Sequence, residues 1–179
     1  MNVALYFGSF DPLHIGHISI CRYLLKTTGI DQLRLVVSPK NPLKDGSGVS
    51  DPQKRLENVR SAVKRAKLGR RVTVSDVEFN MPPPLFTLNT LRKLHTEEPG
   101  IRFILIIGAD NLAIIEKWHK WKELLQDYTV WVYPRHGYDA DALCLKYGCQ
   151  VLRAPMIEIS STQIREAEQR GVDMSGFKA

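Results

Sequence analysis

Short runs of branched and aliphatic residues alternate along the chain with longer amphipathic stretches, and this constrains the fold more than any other feature. "NVALYF", "QLRLVVS", "RVTVSDVEF", "IRFILIIG", "YTVWVY" and "CQVLRA" read as strands. "HIGHISICRYLLKTTG", "SDPQKRLENVRSAVKRAK", "TLNTLRKLHTEE", "DNLAIIEKWHKWKELL", "DADALCLKYG" and "SSTQIREAEQRG" read as helices, each after one of those strands. A strand covered on both faces needs no polar side, so continuous apolar runs separated by helices mean parallel strands joined by right-handed crossovers. The expected fold is a single α/β domain over residues 1–179, an open parallel sheet with helices on both faces. "IRFILIIG" is the most apolar run and belongs at the centre, whereas "RVTVSDVEF" alternates and belongs near an edge. In such a sheet a ligand binds beyond the carboxyl ends of the strands, where the strand order reverses.

The second helix carries start signals: Ser50 as N-cap, Pro52 in the first turn and Gln53 in capping-box position. Leu56, Val59, Val63 and Ala66 then recur at helical spacing, and the basic run from Lys54 to Arg71 reads as a solvated face. No aromatic residues interleave with those cations, so nucleic acid is not an expected partner. The net charge of +6 favours anionic partners without choosing among them. Three cysteines, Cys21, Cys144 and Cys149, lack CxxC spacing and read as free, packed thiols of a reducing compartment. No basic cluster with a following apolar stretch opens the chain, and no run approaches the roughly 20 residues that span a bilayer. A cytoplasmic protein with no membrane partner is expected; the oligomeric state is not legible.

"GSFDPLHIGH" follows the first strand and feeds the first helix. Gly8 permits a tight turn or a close ligand approach. Free amides at the helix start attract phosphate. His14 and His17 share one face of a first turn, and two imidazole donors converging on one point suit a phosphoryl group gaining charge. The same pair could cap or pack instead. Metal ligation lacks a third ligand at useful spacing, so no protein-held metal is expected. Neither the GxxxxGK[ST] loop nor the GxGxxG fingerprint occurs.

"GSFDPLHIGH" resembles the (H/T)xGH signature of the nucleotidyltransferase superfamily, and "ISSTQIR" its second signature, a hydroxyl-rich turn opening a late helix. "GADNLAIIEKWHKWKELL" looks like the GxD…WxxW segment of bacterial nicotinate mononucleotide adenylyltransferases. "FTLNTL" is similar to their YTxDTL motif, "SPKNPLK" to their SxxPPHK loop, and "YPR" to their arginine after a strand. The sequence departs at Phe86 and Asn89, where the motif has Tyr and Asp, and at Asn41 and Leu43. Relatives usually carry a further short segment past Phe177, and its lack is expected to leave the chemistry untouched.

The resemblance implies a Rossmann-like fold of nucleotidyltransferase type and adenylyl transfer from ATP to nicotinate mononucleotide, giving deamido-NAD and pyrophosphate. Implied catalytic residues are His14, His17, Lys44 and Arg165, supplying donors or positive charge. Implied ATP contacts are Gly8, Ser9, Phe10, Gly16, Ser160, Ser161 and Thr162. Asp110 at the end of the strongest strand suits ribose hydroxyls or a helix cap, and Arg135 suits a phosphate. Thr87 suits a helix cap or the acceptor's carboxylate, and Trp118 a stacked pyridine ring on the same helix as Trp121. Mg²⁺ is expected to arrive with ATP, since no carboxylate cluster marks a metal site. Two alternatives remain: a phosphopantetheine adenylyltransferase-like enzyme, or a nucleotide-binding module without catalysis.

Overall fold

The computed structural model describes residues 1–39 and 51–179. Six parallel strands form one sheet in the order β3-β2-β1-β4-β5-β6: β1 Asn2–Gly8, β2 Gln32–Val37, β3 Val72–Ser75, β4 Arg102–Gly108, β5 Thr129–Tyr133 and β6 Gln150–Val151. The apolar "IRFILIIG" segment is central, beside β1, and the alternating segment forms edge strand β3. Chain order reverses between β1 and β4, so a crevice opens above their carboxyl ends.

The pleat divides the core in two. Ala4, Tyr6, Leu33, Leu35, Ile104 and Ile106 face α1 Ile15–Thr27 and α2 Pro52–Arg65, burying Ile20, Leu24, Leu56 and Val59. Val3, Leu5, Val36, Leu105, Ile107 and Val132 face the other way, against α3 Thr87–Glu97, α4 Ala109–Ala113, α5 Trp121–Asp127 and α6 Ala140–Tyr147. Removing a side chain such as Leu105, 1% exposed, costs about 2–5 kcal/mol. The last helix, α7 Ser161–Gln169, follows β6.

Three local expectations are corrected. Ser50 lies outside the described residues, and the cap of α2 is Asp51, whose carboxylate accepts from Lys54 N at 3.1 Å. The "RVTVSDVEF" strand ends at Ser75, because Ser75 Oγ accepts from Val77 N and a 3-10 turn over Val77–Asn80 swings Glu78 inward. The "DNLAIIEKWHKWKELL" helix breaks into α4, a 3-10 turn over Ile115–Lys117 and α5. Its apolar residues Leu112, Ile115, Trp118, Trp121 and Leu124 recur every third position. A helix turns roughly 100° per residue, so that stripe slips about 60° per step, and one straight helix cannot turn all five to the same core. Breaking the helix packs all five against one cluster. Trp118 is therefore extended, at φ −77° and ψ 144°, and Lys120 takes the left-handed region at φ 50°.

Candidate active site

The start of α1 is built by its own two histidines. His14 is the N-cap, and its Nδ1 accepts from Gly16 N at 3.1 Å. His17 Nδ1 accepts from His14 N, also at 3.1 Å, so imidazoles replace both members of a capping box. With each Nδ1 accepting, the proton of each ring belongs on Nε2. The rings stack with centroids 3.6 Å apart, and His17 also meets the edges of Tyr6 and Phe10. Burial, reinforced by the Arg135 charge, lowers the His14 pKa to about 4. Burial, then His14 and Arg135, hold His17 well below its ordinary range. Both rings are therefore neutral at pH 7, and they offer Nε2–H donors rather than charge. Capping and donation coexist here.

Glycine is required at two points. A Cβ on Gly16 would lie 2.9 Å from His14 Cε1, breaking the turn that aims the ring. A Cβ on Gly108 would lie 2.4 Å from Asp110 Oδ1, inside contact distance.

His14, Gly16, His17, Asp110, Arg135 and Ser160 line one cleft of about 430 Å³, floored by Tyr6 and Tyr133 above the ends of β1, β4 and β5. Gly108 caps α4 and no side chain does so, so Asp110 stands in the first turn and is not the cap. Its Oδ1 is buried with no hydrogen-bond partner among the described residues, and Arg135 Nε approaches it to 3.8 Å.

Ser160 caps α7 in a capping box with Gln163. Ser161 Oγ donates to Pro12 O at 2.8 Å, and Arg165 donates to Asp11 O and to Thr162 Oγ1. The late helix is thus tied to the "GSFDPLHIGH" loop, which brings the two distant segments together. Phe10 is buried, with its backbone in the left-handed region at φ 47°, and packs beneath His17. A Cβ on Gly8 would meet that ring at 3.0 Å. Ser9 enters through its carbonyl, which accepts from Arg55 Nη1 at 3.0 Å.

Arg55 corrects the expectation of a wholly solvated basic face. It is 1% exposed and also donates to Ser38 O and Pro39 O, at 2.9 and 2.8 Å. Its position was legible in part: Arg55, Val59 and Ala62 share the buried side of α2 at helical spacing. Buried Glu78 accepts from Ser38 Oγ and Thr90 Oγ1, each at 2.8 Å, while burial raises its pKa. No sequence signal pointed to Glu78.

Lys44 lies outside the described residues. Thr87 and Trp118 are not among the residues lining the cleft. Thr87 is the first residue of α3; Phe86 caps it with no side-chain bond, so Thr87 is not a cap. Trp118 is half-buried against the core. Phe86 and His119 stack at 4.2 Å and 13°, which joins the segments carrying Thr87 and Trp118. Among the described residues no group of three His, Cys, Asp or Glu could hold a metal ion, and no helix is long and apolar enough to cross a membrane. The cysteines are free, with Cys21 and Cys144 buried.

A parallel sheet whose switch point lies under a His-x-Gly-His helix start, with a Ser-Ser-Thr helix start closing over it, is the frame of a nucleotidyltransferase. Residues 5–167 match the cytidylyltransferase-like family. A protein of Flavobacterium psychrophilum named a probable nicotinate-nucleotide adenylyltransferase is 38% identical over 93% of this chain and 86% of its own length. One of Porphyromonas gingivalis with the same name is 40% identical over 97% and 87%. The chain belongs to the cytidylyltransferase-like nucleotidyltransferases and, within them, to the nicotinate-nucleotide adenylyltransferase family. The Plasmodium falciparum nicotinic acid mononucleotide adenylyltransferase, solved with NaAD, shares the fold at a TM-score of 0.82 and 17% identity, covering 97% of this chain and 86% of that one.

Proposed function

We propose that this chain transfers the adenylyl group of ATP to nicotinate mononucleotide, forming deamido-NAD and releasing pyrophosphate. The observation that carries the chemistry is the pair of neutral imidazoles whose Nδ1 atoms are occupied by main-chain amides, leaving two Nε2–H donors at the switch-point cleft. An oxygen of the acceptor's phosphate attacks the α-phosphorus of ATP in line. The bond from that phosphorus to the bridging oxygen breaks, and pyrophosphate leaves with the electron pair. The nucleophile is already anionic, so no general base is required, and catalysis is positioning plus charge stabilisation.

His14 and His17 donate to the phosphoryl oxygens as charge builds on them. Arg165, Arg135 and Lys44 supply the cationic field, and Mg²⁺ enters as part of MgATP. Gly8, Ser9, Phe10 and Gly16 shape the loop under the triphosphate, and Ser161 and Thr162 present the amides of the helix start that Ser160 caps. Asp110 Oδ1 accepts a ribose hydroxyl, Thr87 offers the α3 start to the nicotinate carboxylate, and Trp118 stacks on the ring. The test is pyrophosphate release with ATP and a panel of nicotinate mononucleotide, nicotinamide mononucleotide and phosphopantetheine. Preferred turnover of either of the last two would replace this reading.

A further inference from the structure

The segment after α7 returns to the catalytic loop and pairs with it. Val172 N donates to Ala167 O at 3.0 Å and turns the chain back, a 3-10 turn covers Ser175–Phe177, and Lys178 then forms an antiparallel bridge with His14. Ala179 N donates to Leu13 O at 3.0 Å. The segment is anchored on both sides: Lys178 Nζ pairs with Glu168 of α7, and Arg65 Nη2 of α2 donates to the Ala179 main-chain oxygen at 2.9 Å.

His14 is thus gripped twice. Its ring is oriented from inside by the Gly16 amide, and its main chain is paired from outside with Lys178, beside the bond from Ala179 N to the carbonyl of the preceding Leu13. Within the helix the His14 carbonyl accepts from Ile18 N and its amide donates to the His17 ring, each at 3.1 Å, and the strand contact adds a hold from outside the helix. His14 stacks on His17, so a shift of one ring carries to the other.

We propose that Lys178 and Ala179 are positioning residues for the histidine pair, locking the His14 backbone so that both Nε2 donors stay aligned on the reacting phosphoryl group. The inference rests on the adenylyl-transfer reading. Small misplacements of catalytic groups are costly: about 1 Å is associated with roughly a hundredfold loss.

Ala179→Pro tests this. It deletes the amide that bonds Leu13 O, and it keeps Lys178 in a permitted conformation, since that residue is already extended at φ −79° and ψ 148°. We expect kcat to fall roughly tenfold, with KM for ATP and acceptor held within about twofold. The melting temperature should drop by no more than about 4 °C. Ala179→Ser keeps the amide and should retain wild-type kcat. The imidazole resonances of His14, followed by nitrogen-15 NMR, should shift or broaden in the proline variant only. Wild-type kcat together with unmoved His14 resonances in Ala179→Pro would overturn the proposal. Should that variant not fold, Lys178→Met carries the same test through the anchor to Glu168, with kcat and the His14 resonances read the same way. A wild-type protein that releases no pyrophosphate would defeat the adenylyl-transfer reading, while the NMR comparison would still decide whether the tail positions His14.

Discussion

His14 and His17 hold each other in place: the amide of His14 is bonded by the ring of His17, and the rings stack 3.6 Å apart. A motif read as a pair of donors is also the first turn of α1. Function and local folding therefore share the same atoms, and a substitution at either residue acts on both.

His17→Ala is expected to lower turnover by roughly 10²–10³, the loss of one oriented transition-state donor. It also removes a capping acceptor, which costs about 1 kcal/mol. Steady-state pyrophosphate release and a thermal melt on the same preparation separate the two. Intact specific activity in a protein that melts early would make His17 a packing residue only.

Stability should fall on the acid side through His14. Its folded pKa, about 4, lies below the ordinary 6.5, so the unfolded chain binds the proton more readily. The contribution is fully present above pH 6.5 and is lost progressively as pH falls toward 4. The full linkage is about 3 kcal/mol. Urea unfolding at pH 7.5 and pH 5 should show a smaller pH-dependent loss in His14→Asn than in wild type. Equal losses would mean that His14 is not held neutral.

Arg55→Met should destabilise the fold by about 3 kcal/mol, because it leaves the carbonyls of Ser9, Ser38 and Pro39 without their buried donor. Arg55→Lys should recover little of this, since one ammonium cannot fork to three carbonyls. Chemical denaturation of both variants gives the comparison. Wild-type stability in the lysine variant would show that the charge matters and the fork does not.

Arg165→Ala should weaken ATP about ten- to hundredfold and the acceptor much less, the scale of one or two charge-assisted hydrogen bonds. Arg165 holds Asp11 O and Thr162 at the joint between the two signature segments. Calorimetry with each substrate alone checks it, and equal losses for both would count against the assignment.

The wild type should prefer nicotinate over nicotinamide mononucleotide in kcat/KM, on the order of 10⁴, because amides at the start of α3 would donate to a carboxylate but would meet a carboxamide NH₂ donor to donor. Trp118→Ala should raise KM for both acceptors and leave the ratio near its original value, since a stacked ring holds either one. Saturation curves for both acceptors on both proteins are the measurement. Equal efficiencies in the wild type would sink the carboxylate argument.

The alternation of apolar runs with amphipathic stretches was enough to determine a parallel α/β sheet, its central and edge strands, and the position of "GSFDPLHIGH" beyond the first of them. That follows from short-range physics: hydrophobic period and turn chemistry are properties of neighbouring residues. Which atoms of His14 and His17 remain free was decided by the fold, because it depends on amides placed by the turn and on burial under Tyr6 and Phe10. The break after Ala113 came from the need to turn an every-third-residue stripe to a single core. Arg55 and Glu78 became internal because carbonyls and hydroxyls from three separate segments converge on them. The pairing of Lys178 with His14 joins residues more than 160 positions apart. No local pattern encodes such contacts, since they exist only once chain segments remote in sequence have been packed together.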